Sequence, residues 1–176
     1  MANQESGYFL YLMRHGIAVE RGSPDYPDDG ARPLTEKGRK RVGQIADGLC
    51  NIGFEADWIV TSPLVRARET AQVVAESIHA RTPLDGCDSL APGGSFGDLK
   101  EFLLRKPDRT RVLLVGHEPD LSRLAAQLIG GGRSSGLAFK KGGCCLIHWD
   151  NMPLESNGRL VWWLTPGLLR DLSGKR

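Results

Sequence analysis

Short apolar runs alternate with segments of helical periodicity along most of this chain, and this alternation limits the folds that it can adopt. An apolar run of four to six residues without charge is typical of a strand covered on both faces of a sheet. Such runs lie at residues 8–13, 58–61 and 112–115, and helical patterns follow at 35–49, after 62–63 and after 119. Strands that alternate with helices through residue 130 predict an α/β sandwich around a largely parallel sheet.

Local signals predict where several of these elements begin and end. Ser62 followed by Pro63 predicts a helix N-cap with proline at the first helical position. Ser95 resembles the start of a capping box, and Pro119 predicts the start of a later helix. The remaining signals are a weak third strand within 83–90, a helix stop at 130–132, and two late strands at 144–149 and 160–164. A polar turn joins the late strands, so an edge hairpin is one arrangement open to them.

The composition is that of an ordinary globular chain, and it disfavours some classes of partner. The 176 residues fit a single domain, 1–176, and a net charge of +2 is too small to favour nucleic acid or an anionic membrane. No stretch reaches the roughly 18 apolar residues of a membrane span, and residues 1–7 lack the pattern of a signal peptide. Four cysteines without CxxC spacing predict free thiols in a reducing cytoplasm, and a monomer is favoured.

Basic side chains follow three of the predicted strands. The first strand ends in Arg14 and His15, the second is followed by Ser62 and Arg66, and a later one ends before His117. Because ligands of open α/β sheets bind beyond the carboxyl ends of the strands, we expect two arginines and two histidines at one sheet edge. Each alone has a simpler structural interpretation; it is their coincidence at three strand ends that indicates a site. His79 and His148 do not share this placement and are interpreted as structural.

A cluster of two arginines and two histidines suits phosphoryl transfer. Arginine supplies charged donor forks for phosphoryl oxygens, and helix N-termini add backbone donors. A neutral imidazole can attack phosphorus and form a covalent phosphohistidine, which water then cleaves. Gly16, directly after His15, allows backbone and substrate to approach closely. This chemistry requires no metal and no cofactor, and no acidic cluster in the sequence suggests one.

Four segments in a fixed order add a resemblance to a known family. They read LMRHG at 12–16, RPLTEKG at 32–38, SPLVRARETA at 62–71 and VGHEP at 115–119. With these segments, nearly the whole chain resembles the histidine phosphatase superfamily, also called phosphoglycerate mutase-like. The small size, the RPLT segment and LAP at 90–92 most resemble SixA-type phosphohistidine phosphatases.

The resemblance implies a three-layer α/β/α sandwich and a role for each matching residue. His15 is the implied phospho-acceptor, while Arg14, Arg66 and His117 bind the phosphoryl oxygens. Substrate-binding positions are predicted at Gly16, Arg32, Ser62 and Glu118. The implied protein is a phosphatase without a metal.

One departure bears on the substrate. Many members of the family place a carboxylic acid soon after the third strand to protonate the leaving oxygen, whereas residues 89–95 here contain none. A phosphorylated imidazole departs as neutral imidazole and needs such a proton less than an alkoxide does. Glu118, directly after the second histidine, could instead supply the acid, although a favourable position near a helix start explains it equally well.

We therefore expect a phosphohistidine phosphatase that acts on a partner protein such as a phosphotransfer domain, and takes part in signal transduction. A small-molecule phosphomonoesterase with Glu118 as its acid is the alternative within the same chemistry. A catalytically silent module that binds phosphate or phosphoprotein is the alternative from another class. A mutase is disfavoured because transfer between two hydroxyls needs a site closed to water.

Overall fold

The computed structural model describes residues 7–78, 82–130, 136–150 and 157–174. Within them the strands are β1 (Tyr8–Arg14), β2 (Trp58–Thr61), β3 (Leu84–Gly86), β4 (Arg111–Gly116), β5 (Cys144–Trp149) and β6 (Arg159–Leu164). The helices are α1 (Glu36–Asn51), α2 (Val65–Ser77), α3 (Phe96–Leu104), α4 (Asp120–Leu128) and α5 (Pro166–Ser173), with short 3-10 helices at Asp29–Ala31 and Asp88–Leu90. His79 lies outside the described residues, as does most of the turn expected between the last two strands.

The six strands form one sheet in the order β3-β2-β4-β1-β5-β6. β1, β2, β3 and β4 run parallel, while β5 is antiparallel to both β1 and β6. The predicted mostly parallel sheet with an antiparallel pair at one edge is therefore confirmed. β1, β4 and β2 are direct neighbours, so their carboxyl ends meet at the same place.

Helices cover both faces of the sheet and complete the three layers. Alternate strand residues such as Leu12 and Leu114 pack with α3 and α4, whereas Met13 and Val115 pack with α1, α2 and α5. Both faces of the central strands are thus buried, which explains why their sequences are continuous apolar runs. Among the described residues, none of the helices combines the length and apolarity that a membrane crossing requires.

The predicted helix starts at Ser95 and Ser62 fared differently, and one helix was not predicted at all. Of the capping box predicted at Ser95, the N-cap is confirmed, because the Ser95 side chain accepts a hydrogen bond from the backbone N–H of Asp98. The N-cap at Ser62 is wrong, because α2 begins at Val65 after Leu64. The Ser62 hydroxyl accepts from the backbone N–H of Leu64 at 3.3 Å, ahead of the helix, and lies 2.8 Å from a ring nitrogen of His117. Helix α5 was not predicted, although Thr165 caps that helix and Pro166 opens it.

The helices α1 and α5 pack so closely at Gly48 that there is no room for a methyl group between them. A Cβ on Gly48 would lie 1.8 Å from the Leu169 carbonyl oxygen, whereas one on Gly43, in the same helix, would meet nothing nearer than 4.0 Å. We expect Gly48→Ala to lower the free energy of unfolding by about 1–3 kcal/mol through overpacking. Gly43→Ala should raise it by about 0.5–1 kcal/mol, since alanine favours a helix interior. Urea denaturation of both variants measures this, and equal effects of the two would contradict the packing.

Candidate active site

The ends of the three neighbouring strands bring the predicted histidines together. His15 follows β1 and His117 follows β4, and the backbone N–H of His15 donates to the carbonyl of Gly116 at 3.1 Å. Their ring centroids are 5.0 Å apart. Ser62 follows β2 and donates its backbone N–H to the carbonyl of Val115 at 2.9 Å. The parallel register therefore places two imidazoles and one hydroxyl side by side.

His15 is held in one orientation and one tautomer. Its Nδ1 lies 2.7 Å from the carbonyl oxygen of Gly16, which can only accept, so Nδ1 carries the proton. Burial lowers the pKa of His15 to about 3 against the opposing effect of the hydrogen bond to Gly16, and the nearby His117, Arg66 and Arg14 add to the lowering. The imidazole is therefore neutral at neutral pH, with the lone pair on Nε2.

Gly16 is required because the chain passes very close to α1 at this point. A Cβ on Gly16 would lie 2.5 Å from a methyl carbon of Val42. The Gly16 backbone N–H donates to the hydroxyl of Thr70 at 3.0 Å, and that hydroxyl donates to the carbonyl of Arg66 at 2.7 Å. The loop that presents His15 is thus tied to the first turns of α2, which carry Arg66.

His117 is paired on one nitrogen only. Its Nε2 lies 2.8 Å from the Ser62 hydroxyl, while its buried Nδ1 has no partner among the described residues. Burial, reinforced by Arg66, lowers the pKa of His117 to about 4, although the carboxylates of Asp120 and Asp29 oppose the shift. A phosphoryl oxygen is a suitable acceptor for either imidazole nitrogen that carries a proton.

The two arginines are anchored through their terminal nitrogens. Arg14 donates from Nη1 to the carbonyl of Phe139 at 2.8 Å, and Arg66 donates from Nη1 to the carbonyl of Asp29 at 2.7 Å. In the described part of the chain, the buried Nε of each has no acceptor. Because unpaired buried donors are costly, both guanidinium groups fit the binding of an anion.

Asp29 is the counter-ion of the site, and it is not among the residues predicted from the sequence. Its carboxylate accepts from Arg66 Nη2 at 3.1 Å, from Arg32 Nε and Nη2 at 3.0 and 2.8 Å, and from Arg21 Nε at 3.0 Å. Burial alone would raise the pKa of Asp29, but these hydrogen bonds and charges outweigh it and lower the pKa to about 2. The sequence offers one signal for this role: Asp29 lies three residues before Arg32, and arginines that become buried need a carboxylate to neutralise their charge.

Arg32 and Glu118 are both engaged by protein groups. Arg32 is buried against Asp29 and the carbonyl of Val19, so it reaches the site through Asp29. Glu118 accepts from the Ser122 hydroxyl at 2.6 Å and from the backbone N–H of Phe139. Its carboxylate therefore joins α4 to the segment that anchors Arg14, and this favours the structural interpretation of Glu118 over that of an acid.

A pocket of about 280 Å³ opens beside His117, between the 3-10 helix at Asp88–Leu90, α3 and α4. Its walls combine apolar side chains, among them Leu90 and Phe96, with polar ones such as Ser89 and Gln127. Of the described residues that line it, Asp120 alone carries a carboxylate, which accepts from the backbone N–H of Gly93 at 2.8 Å and from Arg123 at 3.1 Å. Residues 89–95 contain no acid, but the carboxylate of Asp120, at the start of α4, is hydrogen-bonded to this segment.

Comparison with known proteins identifies the family of this arrangement. A family model described as the histidine phosphatase superfamily (branch 1) matches residues 10–91, which include Arg14, His15 and Arg66. An uncharacterised protein of Picosynechococcus sp. (strain PCC 7002) is 42% identical over 137 residues, which cover 76% of this chain and 81% of that protein. The chain belongs to the histidine phosphatase superfamily.

Two SixA proteins make the resemblance more specific. Phosphohistidine phosphatase SixA of Escherichia coli (strain K12) is 26% identical over 159 residues, which cover 89% of this chain and 93% of that protein. The structure of a protein histidine phosphatase SixA complexed with tungstate has a TM-score of 0.78 at 24% identity and covers 92% of this chain and 99% of that one. The fold is that of the histidine phosphatases, and the similarity to SixA supports phosphatase activity.

The described part of the chain contains no cluster of side chains that could bind a metal ion. No three His, Cys, Asp or Glu side chains among the described residues lie close enough to hold an ion. The groups beside the two histidines are instead the guanidinium groups of Arg14 and Arg66 and the hydroxyl of Ser62, which suit a phosphoryl anion directly.

We expect Asp29 to hold Arg66 in position and, through its negative charge, to weaken the binding of phosphate to Arg66. Asp29→Asn removes the charge but keeps the shape, so Arg66 attracts anions more strongly while its orientation loosens. The expected result is a kcat lower by about tenfold, with a lower KM and tighter inhibition by inorganic phosphate. Steady-state kinetics with a chromogenic phosphate ester measures both constants.

Asp28→Asn is the matched control for this experiment, because Asp28 only caps the neighbouring turn by accepting from the backbone N–H of Gly30 at 2.9 Å. It should leave kcat and KM near their original values. An Asp29→Asn variant with a higher KM and an unchanged kcat would contradict the positioning role.

Proposed function

We propose that this protein removes phosphate from phosphohistidine on a partner protein, through a covalent phosphohistidine formed at Nε2 of His15. The observation that carries the proposal is the hydrogen bond from Nδ1 of His15 to the Gly16 carbonyl, which leaves the lone pair of Nε2 available. His117, Ser62 and two guanidinium groups lie around it. A neutral, oriented imidazole among positive groups is suited to attack a phosphoryl dianion.

In the first step, the lone pair of His15 Nε2 forms a bond to phosphorus. The phosphorus–nitrogen bond of the substrate breaks, and its electron pair returns to the departing imidazole. Arg14, Arg66 and His117 would hold the equatorial oxygens, where the transition state carries its charge. The Gly16 carbonyl stabilises the positive charge that develops on the His15 ring by accepting from its Nδ1.

In the second step, water attacks the phosphorus atom of the phosphoenzyme. The bond from phosphorus to Nε2 breaks, its electron pair returns to His15, and inorganic phosphate leaves as dihydrogen phosphate with the oxygen and both hydrogens of the water. His15 is regenerated in its starting tautomer. Both steps use side chains of this chain alone, and the same group of donors serves each transition state.

The leaving-group side favours phosphohistidine over a phosphate ester. Glu118 is occupied by Ser122 and Phe139, and residues 89–95 contain no acid. Asp120 lines the pocket beside His117 as an ion-paired carboxylate, which suits an acceptor better than a proton donor. An acceptor carboxylate stabilises the protonated form of a phosphorylated imidazole, the form that departs as neutral imidazole.

A cytoplasmic location is part of the proposal. All four cysteines are free thiols, and Cys87, Cys144 and Cys145 are buried. Such thiols are compatible with a reducing compartment, in which partner proteins phosphorylated on histidine would also be found.

The nucleophile is tested with a phosphotransfer domain phosphorylated on histidine. We expect His15→Ala to lower the rate of dephosphorylation by about a thousandfold or more and to abolish acid-labile labelling of the enzyme. Arg66→Ala should lower it strongly, whereas Arg68→Ala, an exposed position on the same helix, should not. Persistent labelling of His15→Ala would refute the nucleophile, and rapid turnover of sugar phosphates without any activity on the domain would refute the substrate.

Asp120 and Glu118 are compared as isosteric variants. We expect Asp120→Asn to lower kcat/KM for phosphohistidine by about tenfold, with little effect on a phosphate ester that has a good leaving group. The loss should grow between pH 6 and 8, because removing the carboxylate lowers the pKa of the bound phosphoimidazole. Glu118→Gln should affect thermal stability more than substrate preference. A selective loss of ester hydrolysis in Glu118→Gln would instead support the phosphomonoesterase with Glu118 as acid.

A further inference from the structure

A small recess behind Gly16 is lined by three basic residues from three different elements. Arg41 lies on α1, Lys141 lies in the loop before β5, and Arg170 lies on α5. The recess has a volume of about 50 Å³, and Gly16 and Gly38 form part of its lining. Lys141 is exposed at its mouth, and the two arginines are half-buried.

These three cations are not neutralised by acidic side chains of the described chain. Arg39, one residue before Arg41, pairs with Glu69 at 2.8 Å, and Arg66 pairs with Asp29. By contrast, Arg41, Lys141 and Arg170 form no ion pair with any Asp or Glu that the structure describes; Arg170 donates to its own helix, at the carbonyl of Pro166. Like charges gathered around one recess repel each other and favour an anionic ligand there.

The recess and His15 lie at the same edge of the sheet. The backbone N–H of Gly142, next to Lys141, donates to the carbonyls of Arg14 and His15 at 3.0 and 3.2 Å. The register of β1 with β5 pairs Met13 with Cys144, so the loop before β5 emerges beside the end of β1. The N-terminal parts of α1 and α5 reach the same edge from one face of the sheet, whereas the Asp120 pocket is built by helices on the other face.

We infer that Arg41, Lys141 and Arg170 form a docking site for a surface carboxylate of the protein that carries the phosphohistidine. The inference rests on the proposed function. The recess is too small for a folded segment but accepts one side chain, and its cations are reachable from the surface. A partner whose histidine enters the site beside His117 and whose acidic side chain enters this recess would contact both faces of the catalytic edge. Complementary charge at the rim of an interface raises the association rate and makes it sensitive to salt.

Charge reversal tests the docking site without altering the phosphoryl pocket. We expect Arg41→Glu combined with Arg170→Glu to lower kcat/KM for a phosphorylated phosphotransfer domain by roughly tenfold at low salt. The loss should appear in KM and shrink as salt is added. The turnover of a small phosphoramidate should stay unchanged. Arg105→Glu, an exposed reversal at the opposite edge beyond the C-terminus of α3, is the matched control and should leave both substrates unaffected.

The outcomes separate the docking site from the proposed function. Unchanged kinetics of the double variant on the phosphorylated domain would overturn the docking site while the proposed function stands. Equal losses on the domain and on the phosphoramidate would also overturn it, since they would indicate a distorted catalytic loop. If the unmodified protein hydrolyses the phosphoramidate but not the domain, the proposed function fails and the docking site with it. If inorganic phosphate inhibits the unmodified protein but not the double variant, the recess binds free anions, and the proposal that it binds a carboxylate of the partner protein is overturned.

Discussion

The balance of positive charge is the constraint on which this active site depends. Two arginines and two histidines lie side by side, Arg14 half-buried and the other three buried, and burial keeps both imidazoles neutral at neutral pH. The guanidinium groups cannot discharge in this way, so they need acceptors. The protein supplies one carboxylate, Asp29, and two backbone carbonyls, while leaving the Nε atoms unpaired. The site is therefore held together before substrate binds and still has donors for an anion.

Charge balance also explains why some residues could be predicted from sequence and others could not. His15 and His117 follow apolar strand runs, and parallel register then fixes their proximity. Asp29 lies in a polar loop without periodicity, and only the buried Arg66 that it faces makes it important. The carbonyl of Phe139 carries no side-chain signal at all, because any residue offers the same acceptor. Interactions made through the backbone are thus the ones that sequence patterns do not reveal.

Ser62 and Glu118 show how a good local signal can be overridden. Ser62-Pro63 has the composition of a helix start, yet the hydroxyl bonds to His117, and α2 begins three residues later, at Val65. Glu118 precedes a helix, where an acid is ordinarily favourable, but its carboxylate binds Ser122 and the backbone of Phe139 instead. Each side chain combines a local hydrogen bond, to Leu64 or Ser122, with a tertiary one, to His117 or Phe139. Neither caps a helix, a role worth about 1 kcal/mol. Asp120, which was not singled out from the sequence, lines the pocket beside His117.

The segment before β5 closes the catalytic loop from far along the chain. Arg14 is anchored by the carbonyl of Phe139, 125 residues later, and the N–H of Gly142 is shared by the carbonyls of Arg14 and His15. The motif that carries His15 is made early in synthesis, yet its arginine and its loop are fixed only when these late residues dock. A nascent chain on the ribosome would therefore expose the imidazole of His15 in an unformed pocket, and the pocket would form only as β5 adds to the sheet.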